Sequence, residues 1–221
     1  MIDVITWDNA HKFGDVLPGL LRLRHRIFVQ GQGYAVPTHQ GMEWDQFDTP
    51  ASVYLCWRYA IGQPQGCLRL LPTTLPYMIK ELWPELIGDG QFPADGKTWE
   101  WTRLGVDHNL PNAQRMRVLG ELLCGGIEFG LRNGISNYLF VTPTRSAVNL
   151  YKRLGVIPQI LGEERAVGAF RVVAGRIPVQ KTVLDHVREQ FAIRGPVLRE
   201  DSGSFCSQEN APDLASELHA A

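Results

Sequence analysis

The chain contains no run of about 18 apolar residues, the length that a membrane-spanning helix needs. Its start, Met1-Ile2-Asp3-Val4-Ile5-Thr6-Trp7, has no basic region leading into an apolar one, so no secretory leader is expected and the reading is cytoplasmic. The four cysteines, Cys56, Cys67, Cys124 and Cys206, show no paired short spacing, and the first three sit in apolar runs. Disulfide and zinc frameworks are both disfavoured by that pattern. The six histidines show no metal-ligand pattern either. An excess of one charge is also missing. With 22 Lys and Arg against 23 Asp and Glu, the net charge of -1 provides no global drive toward nucleic acid or anionic membrane. Internal repeats and low-complexity blocks are absent.

What remains is a chain with 44% hydrophobic and 10% aromatic residues, enough to bury a core. A single domain over residues 1–200 is expected, followed by a flexible tail at 201–221, rich in Ser, Ala, Glu and Asp without apolar periodicity. Against this background six charged residues stand out. Arg24, Asp45, Asp48, Arg69, Glu100 and Arg103 each fall in a segment otherwise patterned as core helix, strand or short connection. Arg24 shares the helical face of Leu17, Leu20, Leu21 and Phe28, and a guanidinium there needs an anionic partner. The run Met42-Glu43-Trp44-Asp45-Gln46-Phe47-Asp48 supplies candidate carboxylates, and Arg69 interrupts an apolar strand. A buried ion network lining a polar cleft is the expected result.

Residues 2–7 alternate as a strand does, and 14–30 carry a helical repeat. Gly31, Gly33, Pro37 and Gly41 make 31–50 a long irregular connection, usually a functional one. Residues 51–60 and 66–72 read as a hairpin, and the aromatic run 98–106 as a strand. In a regular strand Glu100 and Arg103 would face opposite sides. Joint action at one site therefore requires a bulge or strand end between them. A helix is expected at 116–132, stopped by Gly134, then a strand at 136–142. A short helix follows at 145–154, capped by Thr144 or Ser146 and ended by Gly155, with strands at 156–161 and 167–174. This order argues for an α/β (α+β) three-layer sandwich with a mixed central sheet.

Arg24-x-x-Ile27-Phe28, the run Met42 to Asp48, Arg69 within a strand, and Glu100-x-x-Arg103 resemble the signature of LuxI-type acyl-homoserine lactone synthases. The similarity spans roughly residues 15–175. It implies a fold like the GCN5-related N-acetyltransferases, in which two strands splay apart and the acyl thioester arm enters the gap. That fold also carries a bulge on the strand at 98–106. Its Gln/Arg-x-x-Gly-x-Gly phosphate loop has no counterpart here; Asn112-Ala113-Gln114-Arg115-Met116-Arg117-Val118 takes its place. Pantetheine phosphates would then fall to helix N-terminal amides and to Arg115 or Arg117. Tyr34 stands where most members carry Trp, and retains a flat aromatic surface.

The implied reaction joins S-adenosylmethionine to an acyl thioester as co-substrates, with no tightly bound cofactor. Glu100 would take a proton from the methionyl amine, directly or through a water, and amides freed around Trp101 to Arg103 would hold the oxyanion. The methionyl carboxylate then closes the lactone and expels methylthioadenosine. Arg24, Arg69, Arg103, Asp45 and Asp48 would hold the methionyl end and shape an N-terminal lid on which Phe28 and Tyr34 pack. Arg24, Arg69, Asp45 and Asp48 read equally as a fold-stabilising network. Trp99 and Trp101 read as core or cleft wall. Trp101 and Val141 are assigned to the acyl pocket, where an apolar Val141 leans toward an unsubstituted chain. Arg145, Lys152 and Arg153 form a basic cluster suited to acyl carrier protein or to coenzyme A, or simply a solvated face.

Two rival readings share the fold. One is an acyl-coenzyme A-dependent N-acyltransferase with another amine acceptor, which does not need the N-terminal charged set. The other is a non-catalytic sensor domain, against which the retention of Glu100 beside Arg103 argues. Neither nucleic acid nor membrane is an expected partner.

Overall fold

The computed structural model describes residues 1–59, 62–88 and 90–199, so the expected tail at 201–221 lies outside the described residues. Strand β1 (Ile2–Ile5) is followed by helix α1 (Val16–Arg24), which continues as a π-helical segment, His25–Gly31. The long connection contains a small hairpin, β2 (Thr38–His39) and β3 (Met42–Glu43). Then come β4 (Val53–Trp57), β5 (Gly66–Pro72), α2 (Met78–Leu82), β6 (Thr98–Val106), α3 (Asn112–Arg132) and β7 (Asn137–Pro143). Helix α4 (Thr144–Leu154), β8 (Gln159–Ile160), β9 (Arg165–Val167), β10 (Phe170–Pro178) and α5 (Lys181–Gln190) complete the order.

The other eight described strands form one sheet in the order β1-β4-β5-β6-β7-β10-β8, with β9 also on β10. Among the described strands β6 and β7 are the one parallel pair, so the sheet is mixed, as the element order implied. One face is covered by α3 and α5, whose Leu122, Ile127, Val183 and Val187 meet Val4, Leu55, Leu68, Trp101 and Tyr138 of the sheet. The other face carries two separate apolar clusters. Helix α1 and its π-helical continuation bring Leu20, Leu23, Ile27 and Phe28 onto Ile5, Tyr54 and Cys67, while α2 brings Met78 and Ile79 onto Leu71, Leu139 and Ala174. Along β5, Cys67 belongs to one cluster and Leu71 to the other, with Arg69 between them on the same face. The charged residues occupy that seam.

Several boundaries differ from the sequence expectation for physical reasons. Helix α3 starts at Asn112, because its first turn is polar and exposed and shows no apolar stripe. The expected strand 167–174 is a hairpin, turned at Gly168 with φ +56, before the longer β10. Gly155 does end α4, with φ +64, but no side chain caps its start: the Thr144 hydroxyl instead donates to Glu164 Oε1 at 2.6 Å.

Candidate active site

Strands β6 and β7 pair only through Thr98↔Asn137, Trp99↔Tyr138 and Glu100↔Leu139. Beyond that rung β6 stays with β5 as far as Val106, and β7 stays with β10 as far as Pro143. A gap therefore opens at Glu100. In β6 the expected irregularity is present. Cys67 pairs with Gly105 and Arg69 with Thr102, which leaves Arg103 and Leu104 opposite Leu68 alone, and Arg103 adopts φ +54. This left-handed residue turns the strand so that Arg103 and Glu100 serve the same side. The bulge carbonyl of Arg103 accepts from the Cys67 thiol at 3.2 Å.

Arg103 enters a closed ion network. Arg24 donates Nη1 and Nη2 to Asp48 Oδ1 and Oδ2 at 2.6 and 2.9 Å, and its Nε to Glu43 Oε2. Arg69 does the same to Asp45, at 2.7 and 3.0 Å, and turns its Nε to Thr102 Oγ1. Arg103 Nη2 bridges Glu43 Oε1 at 2.9 Å and Asp45 Oδ2 at 2.7 Å. Three guanidinium groups thus meet three carboxylates, with Tyr54 adding a hydroxyl to Asp48. The carboxylate oxygens lie within 4.8 Å of one another, an arrangement able to hold a cation, and the guanidinium groups are the cations they hold. Burial alone would raise the Asp48 carboxyl; the hydrogen bond from Arg24 and the charge of Arg69 outweigh it and hold the group well below its usual range.

Glu100 is set apart from this network. It is 1% exposed and accepts the main-chain N–H of Met78 at 2.8 Å and of Ile79 at 2.9 Å, at the start of α2. Burial pushes its carboxyl up to about 7, against the pull of those two amides and the more distant Arg69 and Arg103. A carboxyl titrating there can exchange a proton near neutrality. Met78 links the two parts of the site, because its thioether lies 3.1 Å from Arg69 Nη2 and 3.7 Å from Arg103 Nη1.

The aromatic residues Phe28 and Tyr34 come together. Phe28 stacks on Tyr34 at 5.8 Å, Arg103 lies over the Phe28 ring at 5.6 Å, and Tyr34 meets Phe170 edge-on at 5.7 Å. A Cβ at Gly105 would come within 3.0 Å of Phe28, so the glycine permits this close packing on β6.

Other assignments separate. Arg24 and Arg69 are 0% exposed, with their forks turned on Asp48 and Asp45, the arrangement of the fold-stabilising alternative. Val141 packs with the α2 cluster on the Glu100 side. Trp101 lies on the α3 side, edge-on to Tyr138 at 5.2 Å, and Trp99 packs there on Phe129. Arg115 is exposed in the first turns of α3, and Arg117 is paired with Glu121 at 2.9 Å. On α4, Arg145 and Lys152 are exposed and Arg153 is half-buried. Glu43, the fully buried hub, was missed as a site residue. Its signal was present: two residues before Asp45 in extended chain, it shares that residue's side.

A mixed sheet splayed beside a bulged strand, with a near-neutral carboxyl at the opening, defines an acyltransferase of the N-acyltransferase fold. The autoinducer synthase family model matches residues 11–187, and the chain belongs to that family. It is 32% identical over 166 residues to an acyl-homoserine-lactone synthase of Vibrio anguillarum, covering 73% of this chain and 86% of that one. The solved structure of BjaI, a coenzyme A-dependent acyl-homoserine lactone synthase with S-adenosylmethionine and isopentyl-coenzyme A, superposes with TM-score 0.83. That alignment is 26% identical and covers 93% of this chain and 95% of BjaI. FeeM, an N-acyl amino acid synthase from uncultured soil microbes, shares the fold at TM-score 0.55 and 15% identity, over 82% of this chain and 92% of its own. No helix among the described residues is long and apolar enough to cross a membrane.

Proposed function

We propose that the protein acylates S-adenosylmethionine from an acyl thioester and closes the lactone, giving an N-acyl-homoserine lactone, methylthioadenosine and the free thiol carrier. The observation that carries this is Glu100, whose carboxyl, raised to about 7, stands where β6 and β7 part. It takes the proton of the methionyl amine as the nitrogen attacks the thioester carbonyl. Beyond the Glu100↔Leu139 rung the described pairing of β6 with β7 ends, so β6 amides are the candidate donors to the oxyanion.

Arg24, Arg69 and Asp48 act as the frame that carries the lid, being closed to solvent. The methionyl carboxylate falls to Arg103, whose Nη1, among the described residues, meets a thioether, a weak acceptor. Phe28 and Tyr34 supply the aromatic wall for the nucleoside. Val141 lines the acyl path, and the first-turn amides of α3 with Arg115 meet the pantetheine phosphates. Exposed Arg145 and Lys152, with Arg153, suit either an acidic carrier protein or coenzyme A. Both co-substrates are cytoplasmic metabolites, in keeping with a cytoplasmic enzyme.

Incubation with S-adenosylmethionine and acyl thioesters of coenzyme A or acyl carrier protein, read by mass spectrometry, tests this. Acyl-homoserine lactone and methylthioadenosine are the expected products. Thiol release without methylthioadenosine would indicate a plain acyltransferase, and neither product from any donor a sensor.

A further inference from the structure

Trp101 is the first β6 residue past the last rung shared with β7, so its side chain stands at the threshold of the splay. It follows Glu100 directly and points to the opposite face of the sheet, toward α3. The indole leans across to β7, edge-on to Tyr138, and lies over Gly126, where a Cβ would come within 3.1 Å of the ring. The ring thus borders the point where the two strands part, on the α3 face.

The indole is 6% exposed, and its Nε1–H is buried without a hydrogen-bond partner among the described residues. The neighbouring Tyr138 hydroxyl donates to the Gly126 carbonyl at 2.8 Å and leaves the indole unserved. An unmatched buried donor is costly and uncommon, and beside the strand opening it leaves a place for an acceptor. A Trp N–H can only donate, so the missing group is an acceptor such as oxygen.

We propose that Trp101 reads the acyl donor, its indole N–H donating to an oxygen carried on the acyl chain, so that the preferred substrate is an oxygenated acyl thioester. The proposal rests on the synthase reading above. It also refines the place of Val141: that apolar side chain lies on the other face, and the donor to the chain comes from the α3 side.

The test compares acyl thioesters of equal length, unsubstituted, hydroxylated or oxo-substituted, each on coenzyme A and on acyl carrier protein. Methylthioadenosine release is followed for the wild type and for Trp101→Phe, which keeps the ring and removes the N–H. The wild type is expected to favour an oxygenated chain in kcat/KM by about five- to tenfold, the size of one hydrogen bond, and Trp101→Phe to bring that ratio toward one. A wild type that favours the unsubstituted chain overturns the proposal, and that ratio decides even if the variant does not fold. So does a variant that keeps the preference, or one that slows all donors equally, since the N–H would then serve the thioester carbonyl. Release from no donor would sink the synthase reading itself, and the proposal with it.

Discussion

Arg24 and Asp48 form a two-toothed pair, Nη1 to Oδ1 at 2.6 Å and Nη2 to Oδ2 at 2.9 Å, with both side chains at 0% exposure. Removing one partner leaves the other charged and dry. Arg24→Met is expected to cost about 3–5 kcal/mol of stability in urea unfolding, and Arg24→Lys to recover only part, since an ammonium cannot match the fork. An unchanged urea midpoint for Arg24→Met would show that the network does not support the fold.

Glu100 makes the reaction pH-dependent. With its carboxyl raised to about 7, kcat/KM should rise with pH through that region and level above it. Glu100→Gln is expected to retain the fold and lose most turnover, and full activity in that variant would exclude Glu100 as the base. The linkage sign is the reverse of an ion-paired acid. The folded value lies above the ordinary glutamate value of 4.5, so the folded state holds this proton more tightly. The stabilisation is complete below 4.5 and is lost as pH rises through about 7. Unfolding measured at successive pH values should show this loss in the wild type and not in Glu100→Gln.

Tyr34 connects Phe28 to Phe170, at 5.8 and 5.7 Å. Tyr34→Ala should raise KM for S-adenosylmethionine about two- to tenfold, the worth of an aromatic pair, while Tyr34→Trp stays near wild type. Equal KM values across the three proteins would remove Tyr34 from the site.

Arg145 and Lys152 are exposed on α4, which follows β7 directly at the splay. Their double replacement by Glu should slow turnover with acyl carrier protein by about tenfold or more at low salt, with a smaller effect at high salt. A response confined to acyl-coenzyme A would assign the cluster to the nucleotide instead.

The bulge was legible before any coordinates, because Glu100 and Arg103 differ by an odd number of residues yet had to act together. Arg24, Asp45, Asp48 and Arg69 were legible as charges in apolar surroundings, and they do meet. Their mutual saturation was not. Guanidinium and carboxylate groups that bind substrate and ones that bind each other are the same letters. Helices α2 and α5 went unread. The five residues of Met78–Leu82 are too short to show a helical period, yet they supply both amides that hold Glu100.

Sequence spacing by itself indicated the element order of a mixed layered fold, the charges set in apolar segments, the need for a kink in β6 and the family signature, since each is a matter of residue type and period within short segments. Only the tertiary structure decided which charges are sealed away, that Trp101 turns to the α3 side with its N–H unmatched, and that burial lifts Glu100 toward neutrality. Those properties depend on what surrounds a side chain and on how much water it loses, and both are set by segments far apart in the chain.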